Sequence, residues 1–453
     1  MSDIAMTTAV EPDGAPRIAV LDILRGVAIL GILFMNINDM GQSVFASYND
    51  IRHLGWSAAD RIAWTVREVF ANGTTRCLLE MLFGAGMVIL TSRAAESAGQ
   101  YQVLGRYYLR NLVLLAFGLI HVLVLLWPGD ILHTYGIAAL IAFLFVQLPG
   151  KWLVVVGLNM AVFTFISGVS DITVATQRNA ALAGIAVKQR AGLPLSGDDR
   201  QTIADAARAS ARKTAIKREM AALVTREDRD RRGTLLTWAG AQWRTFMVIE
   251  GYGLEILYVW EAASTMLIGA GLFKLGVLQG GRSRGFYLGM AAIGDGAGIA
   301  LRGVAAWQVM QFDTSPQIDW ATAEAGRLAM TLGHLGAINA LTMTVIGARL
   351  LRPFVAAGRT ALTLYIAQTI ICLWVLFPPF ALNLYGQLSW APLMLVAVAV
   401  DAVLLWAANV YLRHFDIAPV EWAWRSLVEG RQLPWRRPTP SPGAGRDPVV
   451  QRG

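Results

Sequence analysis

The sequence predicts an all-α fold, a polytopic transmembrane helical bundle of about ten spans, and three observations carry that prediction. Hydrophobic residues make up 55% of the 453-residue chain, charged residues only 15%, and mean hydropathy is +0.48. Soluble domains carry roughly 25% charged residues, so this chain lacks the charge to cover a water-facing surface, and a soluble globular enzyme is excluded. The same composition excludes disorder for most of the chain. Finally, ten apolar stretches follow one another near 18–38, 75–92, 107–127, 131–148, 151–170, 255–278, 286–307, 327–350, 358–378 and 391–412, each close to the roughly 20 residues a span requires.

The elements follow in order. Residues 1–16 hold no Lys or Arg and no cleavage signature follows the first apolar run, so that run is expected to stay as span one. Residues 52–74 read as an interfacial helix with Ile62, Val66, Val69 and Phe70 on one face. Pro128-Gly129-Asp130 and Pro149-Gly150-Lys151 turn spans three, four and five into hairpins. The stretch 171–245 carries 14 basic and 8 acidic residues and reads as polar helices on the membrane surface. The expected organisation is therefore 1–170 (five spans), 171–245 (extramembrane insertion), 246–412 (five spans) and 413–453 (a tail disordered after about 434).

Net charge is +8. Arginine in membrane loops accounts for it, and no nucleic-acid partner is expected. With a cytoplasmic N-terminus, the cytoplasmic connections hold Arg106, Arg110, Lys151, Arg282, Arg349, Arg352 and Arg359, whereas the short outer loops 128–130 and 379–390 hold no Lys or Arg. The positive-inside rule then places both termini in the cytoplasm of a multi-pass plasma-membrane (bacterial inner-membrane) protein. The insertion would lie outside, as loops longer than about 60 residues translocate regardless of charge. Cys77 and Cys372 are the only cysteines, which rules out a CxxC metal site or disulfide framework, and no metal is expected.

Ionisable side chains within spans are costly and so mark candidate sites. Asp22 and Arg25, at i, i+3 in span one, are either a snorkelling arginine with a local partner or an anion clamp for a phosphorylated ligand. His121 ends span three, Asp130 sits in the turn, and His133 begins span four. Asp130 is either the N-cap of span four or the group that orients an imidazole base. Glu261 needs a partner, Asp295 and Arg302 are spaced to serve each other, and His334 and Asp401 stand in apolar runs. His53 and His414 lie in polar connections and read as solvated. Walker, G-x-S-x-G, H-E-x-x-H and G-x-G-x-x-G motifs are absent.

Five strings then form an ordered series: LDILRGVAILGILFMNI at 21–37, LLEMLFGAGM at 78–87, GLIHVLVLLWPGDILHTYGI at 118–137, GRTALTLYIAQTI at 358–370 and APVEWAWRSLVEG at 418–430. The series resembles the YeiB-like bacterial inner-membrane proteins, a family of unknown function, over about 17–432. That family looks like a branch of the transmembrane acyltransferases that include the heparan-α-glucosaminide N-acetyltransferases and the polysaccharide O-acetyltransferases. The resemblance implies acyl transfer from a cytoplasmic donor, acetyl-CoA as a rule, to an outer-face acceptor. Asp22, Arg25 and Gly26 match the shared first-span motif. The O-acetyltransferase relatives carry a histidine near the outer end of span one, where this chain reads Met35-Asn36-Ile37-Asn38.

The expected function is thus an integral-membrane acyltransferase, with acyl-CoA as co-substrate and no bound cofactor. His121 is the expected base, Asp130 its orienter, and His133 or Tyr135 lines the acceptor side. Asn36 is the oxyanion donor. Asp22, Arg25, Arg359 and Gln368 complete the substrate- and donor-binding set. Expected partners are the lipid bilayer, a small-molecule or glycan acceptor and a second copy of the chain. Two alternatives stay open: a proton-coupled transporter using Glu261, Asp295 and Asp401, and a non-catalytic sensor using 171–245.

Overall fold

The structure, a computed structural model, describes residues 19–97, 100–312 and 316–436. Residues 1–16 and nearly all of the tail after 434 lie outside them. Trp435 lies inside them, and packs on Phe415 and Trp422.

Every apolar stretch is helical. In the N-terminal half run α1 (Ala19–Gly41), α2 (Val44–Asn49), α3 (Ala58–Val66), α4 (Thr74–Ser97), α5 (Gln100–Leu123), α6 (Leu132–Phe143), α7 (Gly150–Gly157) and α8 (Asn159–Arg190). Then come α9 (Gly197–Arg231), α10 (Leu235–Gly251), α11 (Leu254–Lys274), α12 (Arg284–Met310), α13 (Asp319–Thr342), α14 (Val345–Arg359), α15 (Ala361–Thr369), α16 (Trp390–Tyr411) and α17 (Pro419–Glu429). Wide π-type turns continue α3 over Arg67–Ala71 and α15 over Ile370–Leu376. Among the described residues, seven helices are long and apolar enough to cross a membrane, or eight if the bent pair α13–α14 is one span. The shorter apolar segments Leu132–Phe143 and Ala361–Leu376 complete the set.

Three features of the helices differ from the sequence reading. The stretch 327–350 is two helices meeting at 114°. Thr344 causes the break: its side chain accepts from Gly347 N at 3.0 Å and starts α14 as an N-cap. Hydropathy cannot register a bend between two apolar helices. The 12 residues of α6 rise about 18 Å, short of a full crossing. In the 52–74 region Ile62 and Val66 are exposed but Val69 is buried, because the π-type turn adds a residue and shifts the helical phase.

Helix packing is close where glycines meet backbone. A Cβ on Gly84 would lie 1.8 Å from Met266 O, and one on Gly269 would lie 2.1 Å from Met81 O, so α4 and α11 touch along their backbones. Gly26 and Gly358 do the same for α1 and α14. A buried charge cluster sits between α4, α11 and α13. Arg327 reaches Glu80 (3.2 Å), Glu261 (3.0 Å), Glu324 (2.7 Å) and Thr265 (3.1 Å), and Arg76 bonds Glu261 at 2.5 Å. Asp295 and Arg302 do not serve each other. Asp295 bonds His334 at 2.9 Å, and Arg302 donates to the carbonyls of Glu68 and Asn72.

The insertion docks on the C-terminal end of α1. Arg231 is fully buried and donates to the carbonyls of Asp39, Met40 and Gln42, satisfying groups that α1 leaves open. Glu227 accepts from Ser43 Oγ at 2.5 Å, and Asp228 bonds Tyr385 Oη at 2.8 Å and His53 Nε2 at 2.7 Å. His53 is therefore half-buried and paired rather than solvated, whereas His414 is exposed.

This docking should depend on pH. The hydrogen bond to Asp228 raises the His53 pKa above 6.5. Burial pushes Asp228 up, but its bonds from His53 and Tyr385 hold it below 3.8. The histidine's contribution is whole below pH 6.5 and is lost as pH rises through its raised value. The aspartate's is whole above 3.8 and is lost as pH falls through its lowered value. Amide protection of the last turn of α9, corrected for intrinsic rates, should thus be highest between those limits and fall towards pH 9. An equal fall in Asp228→Asn would show that the pair is not responsible.

Candidate functional site

The turn after α5 brings three of the sequence-marked residues together. Gly118 makes this possible: a Cβ there would lie 2.2 Å from His133 N and 2.8 Å from Asp130 Oδ2, so the first turn of α6 seats against α5. Asp130 bonds the backbone at the start of α6 and both imidazoles at once. Its Oδ2 accepts from His133 N (3.0 Å) and pairs with His133 Nδ1 (2.9 Å). Its Oδ1 pairs with His121 Nδ1 (2.7 Å) and accepts from Tyr365 Oη (3.3 Å). The carboxylate is wholly buried.

The two imidazoles differ in what they can reach. His121 is 0% exposed, and its Nε2 meets Thr369 Oγ1 at 2.9 Å, so both of its nitrogens are engaged. Tyr365 packs edge-on against its ring and accepts from Ile131 N at 3.1 Å. His133 is hydrogen-bonded only through Nδ1. Its Nε2 makes no hydrogen bond and stands 3.4 Å from Glu255 Oε2, which also accepts from Thr134 Oγ1. Glu255 is the one charged residue lining an otherwise apolar groove of about 450 Å³ between α6 and α11, with Ile137, Ile141, Ile256 and Trp260.

The remaining marked residues lie elsewhere. Tyr135 is buried, and its hydroxyl donates to Arg76 O rather than turning to His133 Nε2. Asp22 and Arg25 pair at 3.1 Å at the opposite end of α1. Gly358 packs on Asp22 O there, which brings Arg359 to the same end; Arg359 donates to Asp416 O at 3.0 Å. Gln368 bridges Ile29 O and Asp401 Oδ1 inside the bundle. Asn36 is half-buried, with no side-chain hydrogen bond among the described residues.

Sequence reasoning missed Glu255, Tyr365 and Thr369 in the site, Arg76, Glu80 and Arg327 in the charge cluster, and Glu421. Glu421, on α17, accepts from Leu362 N and Thr363 N and so caps α15. Glu80 was legible as the lone acid in LLEMLF, and Tyr365 and Thr369 as an i, i+4 polar pair in an apolar helix. Glu255 carried no local signal.

Residues 272–431 match the model of a family described as a protein of unknown function (DUF418). The chain is 29% identical over 419 residues to the uncharacterised protein YxaH of Bacillus subtilis, covering 91% of this chain and 94% of that one. It is 28% identical over 431 residues to the uncharacterised protein YeiB of Escherichia coli, covering 91% and 96%. An uncharacterised 39.9 kDa protein of Bacillus acidopullulyticus is 22% identical over 420 residues. No solved structure matches. Both alignments above 25% identity cover 91% of this chain, and over that length it is similar to these two uncharacterised proteins.

Proposed function

We propose that the protein is a membrane acyltransferase that moves an acyl group, acetyl in the simplest case, from a CoA-type donor to a hydroxyl or amine acceptor. The observation that supports this reading is the Asp130 carboxylate, which locks two imidazoles and leaves one nitrogen, His133 Nε2, without a hydrogen bond. With Nδ1–H held by a carboxylate, the lone pair sits on Nε2, the arrangement of a general base. The acceptor's O–H or N–H proton passes to Nε2 as its oxygen or nitrogen bonds the thioester carbonyl carbon. The C–S bond then breaks, and the thiolate leaves and takes up that proton. His121 acts as a positioning residue through Asp130. The Asn36 amide would donate to the developing oxyanion.

The donor enters at the Asp22 end. Arg25 and Arg359 supply guanidinium groups for its phosphates. From Arg25 to Asn36 the helix rises about 16 Å, so the donor's thioester arm must lie along α1. The bilayer is the bacterial inner membrane, with the Asp22 end cytoplasmic. Arg106, Arg110 and Lys274 support this, since they make their contacts at that end, with Glu429, Trp424 and the carbonyls of Val146 and Leu148. A reporter active only in the cytoplasm, fused at residue 200, should be silent; activity there would invert the topology.

Purified protein incubated with labelled acetyl-CoA and envelope glycans should release free thiol and label the acceptor, and His133→Gln should do neither. Uptake of a solute driven by a proton gradient, with no thiol released, would favour transport instead. Arg25→Lys should raise KM for the donor by about tenfold, because a point charge does not replace a bidentate fork. Unchanged KM would remove Arg25 from the donor site.

A further inference from the structure

Gly251-Tyr252-Gly253 turns the chain from α10 into α11, with Gly253 at φ +68°. The turn sets Glu250 and Glu255 beside His133. One carboxylate oxygen from each and an imidazole nitrogen all lie within 4.8 Å of one another. His133 is 7% exposed, and neither its Nε2 nor Glu255 Oε1, both buried atoms, has a hydrogen-bond partner. Buried polar atoms left unpaired are costly, and a cation held between them would satisfy all three side chains.

We infer that His133, Glu250 and Glu255 form a binding site for a divalent first-row metal ion, with Zn²⁺ as the best fit. Asp130 holds His133 Nδ1 at 2.9 Å, which is the carboxylate–histidine backing that metal-bound imidazoles share. Ligands at about 2.0–2.1 Å around a tetrahedral ion stand roughly 3.4 Å apart. His133 Nε2 and Glu255 Oε2 already have that spacing, at 3.4 Å, and a Glu250 carboxylate oxygen lies within 4.8 Å of its two partners. One imidazole and two carboxylates suit Zn²⁺ or Mn²⁺ and not a soft ion. The two carboxylate charges balance the ion. Three protein ligands leave a position open, as catalytic zinc sites do. An ion and a proton compete for the same nitrogen, so metal binding here and the base role of His133 exclude each other at any one moment, and the site is tested by metal binding alone.

The test uses the full-length protein, purified in detergent, stripped by chelator and dialysed against Zn²⁺ and separately against Mn²⁺, with bound metal counted by mass spectrometry. About one ion per chain is expected for the protein. Glu250→Gln with Glu255→Gln should weaken affinity at least a hundredfold, Asp130→Asn tenfold to a hundredfold, and His414→Ala not at all. Glu250→Gln alone, on the half-buried end of α10, serves where the double variant does not fold. Stoichiometric binding without acyl turnover supports the site and counts only against transfer. Absence of a bound ion with either metal, or binding that survives both glutamine substitutions, would each overturn it.

Discussion

Arg327→Met is expected to keep the protein from accumulating in membranes. The guanidinium is 5% exposed and faces Glu80, Glu261 and Glu324 at 3.2, 3.0 and 2.7 Å. Removing it leaves three buried carboxylates with one remaining cation, Arg76, which lies beside Glu80 and Glu261. Breaking a buried pair from one side costs about 3–5 kcal/mol, comparable to the whole stability of many domains. The cost arises from the stranded charges, so it should fall when they are neutralised. Adding Glu324→Gln and Glu80→Gln to Arg327→Met should restore part of the yield. If the triple variant is no better than Arg327→Met alone, the cluster is stabilised by packing and the electrostatic account is wrong.

Asp130→Asn should lower acyl transfer by about 10²–10⁴-fold, the usual contribution of a positioned acid–base group, with little change in the amount of folded protein. The amide keeps the shape and can still accept from His133 N. It cannot accept from both imidazoles through charged oxygens, so the tautomer of His133 is no longer fixed. The pH profile should change together with the rate. Coupling separates this from simple helix capping: with His133→Gln in the background, Asp130→Asn should cost almost nothing more. Fully additive losses would reduce Asp130 to the cap of α6. His121→Ala should behave like Asp130→Asn, since the ring is sealed between Asp130 and Thr369 and acts on the acceptor only through the carboxylate.

How much of this was legible in the sequence follows from the range of each interaction. Helices announce themselves locally, through apolar run length and turn residues, so every apolar stretch was found. The break at Thr342–Thr344 was hidden because both sides of it are apolar. The His121–Asp130–His133 group was visible because a tight turn keeps all three within 13 residues. Its other half was not. Thr369 and Glu255 come from α15 and α11, more than a hundred residues away, and only tertiary packing brings them in. The same holds for the Asp295–Arg302 expectation: i, i+7 spacing permitted the pair, but His334 and the Glu68 and Asn72 carbonyls lay nearer in space. Composition identified the insertion as polar and helical; that Arg231 satisfies the carbonyl end of α1 was invisible without the fold.

The central claim is that an acyl group crosses from the Asp22 end to His133. The direct measurement is sidedness. Purified protein is sealed into lipid vesicles in one orientation, with labelled acetyl-CoA supplied only at the Asp22–Arg25 face and a hydroxyl or amine acceptor only at the face that carries the 171–245 insertion. The account predicts free thiol on the donor side and labelled acceptor on the other in equal amounts, both lost in His133→Gln. Label that crosses still attached to CoA, or thiol release that persists in His133→Gln, would contradict it.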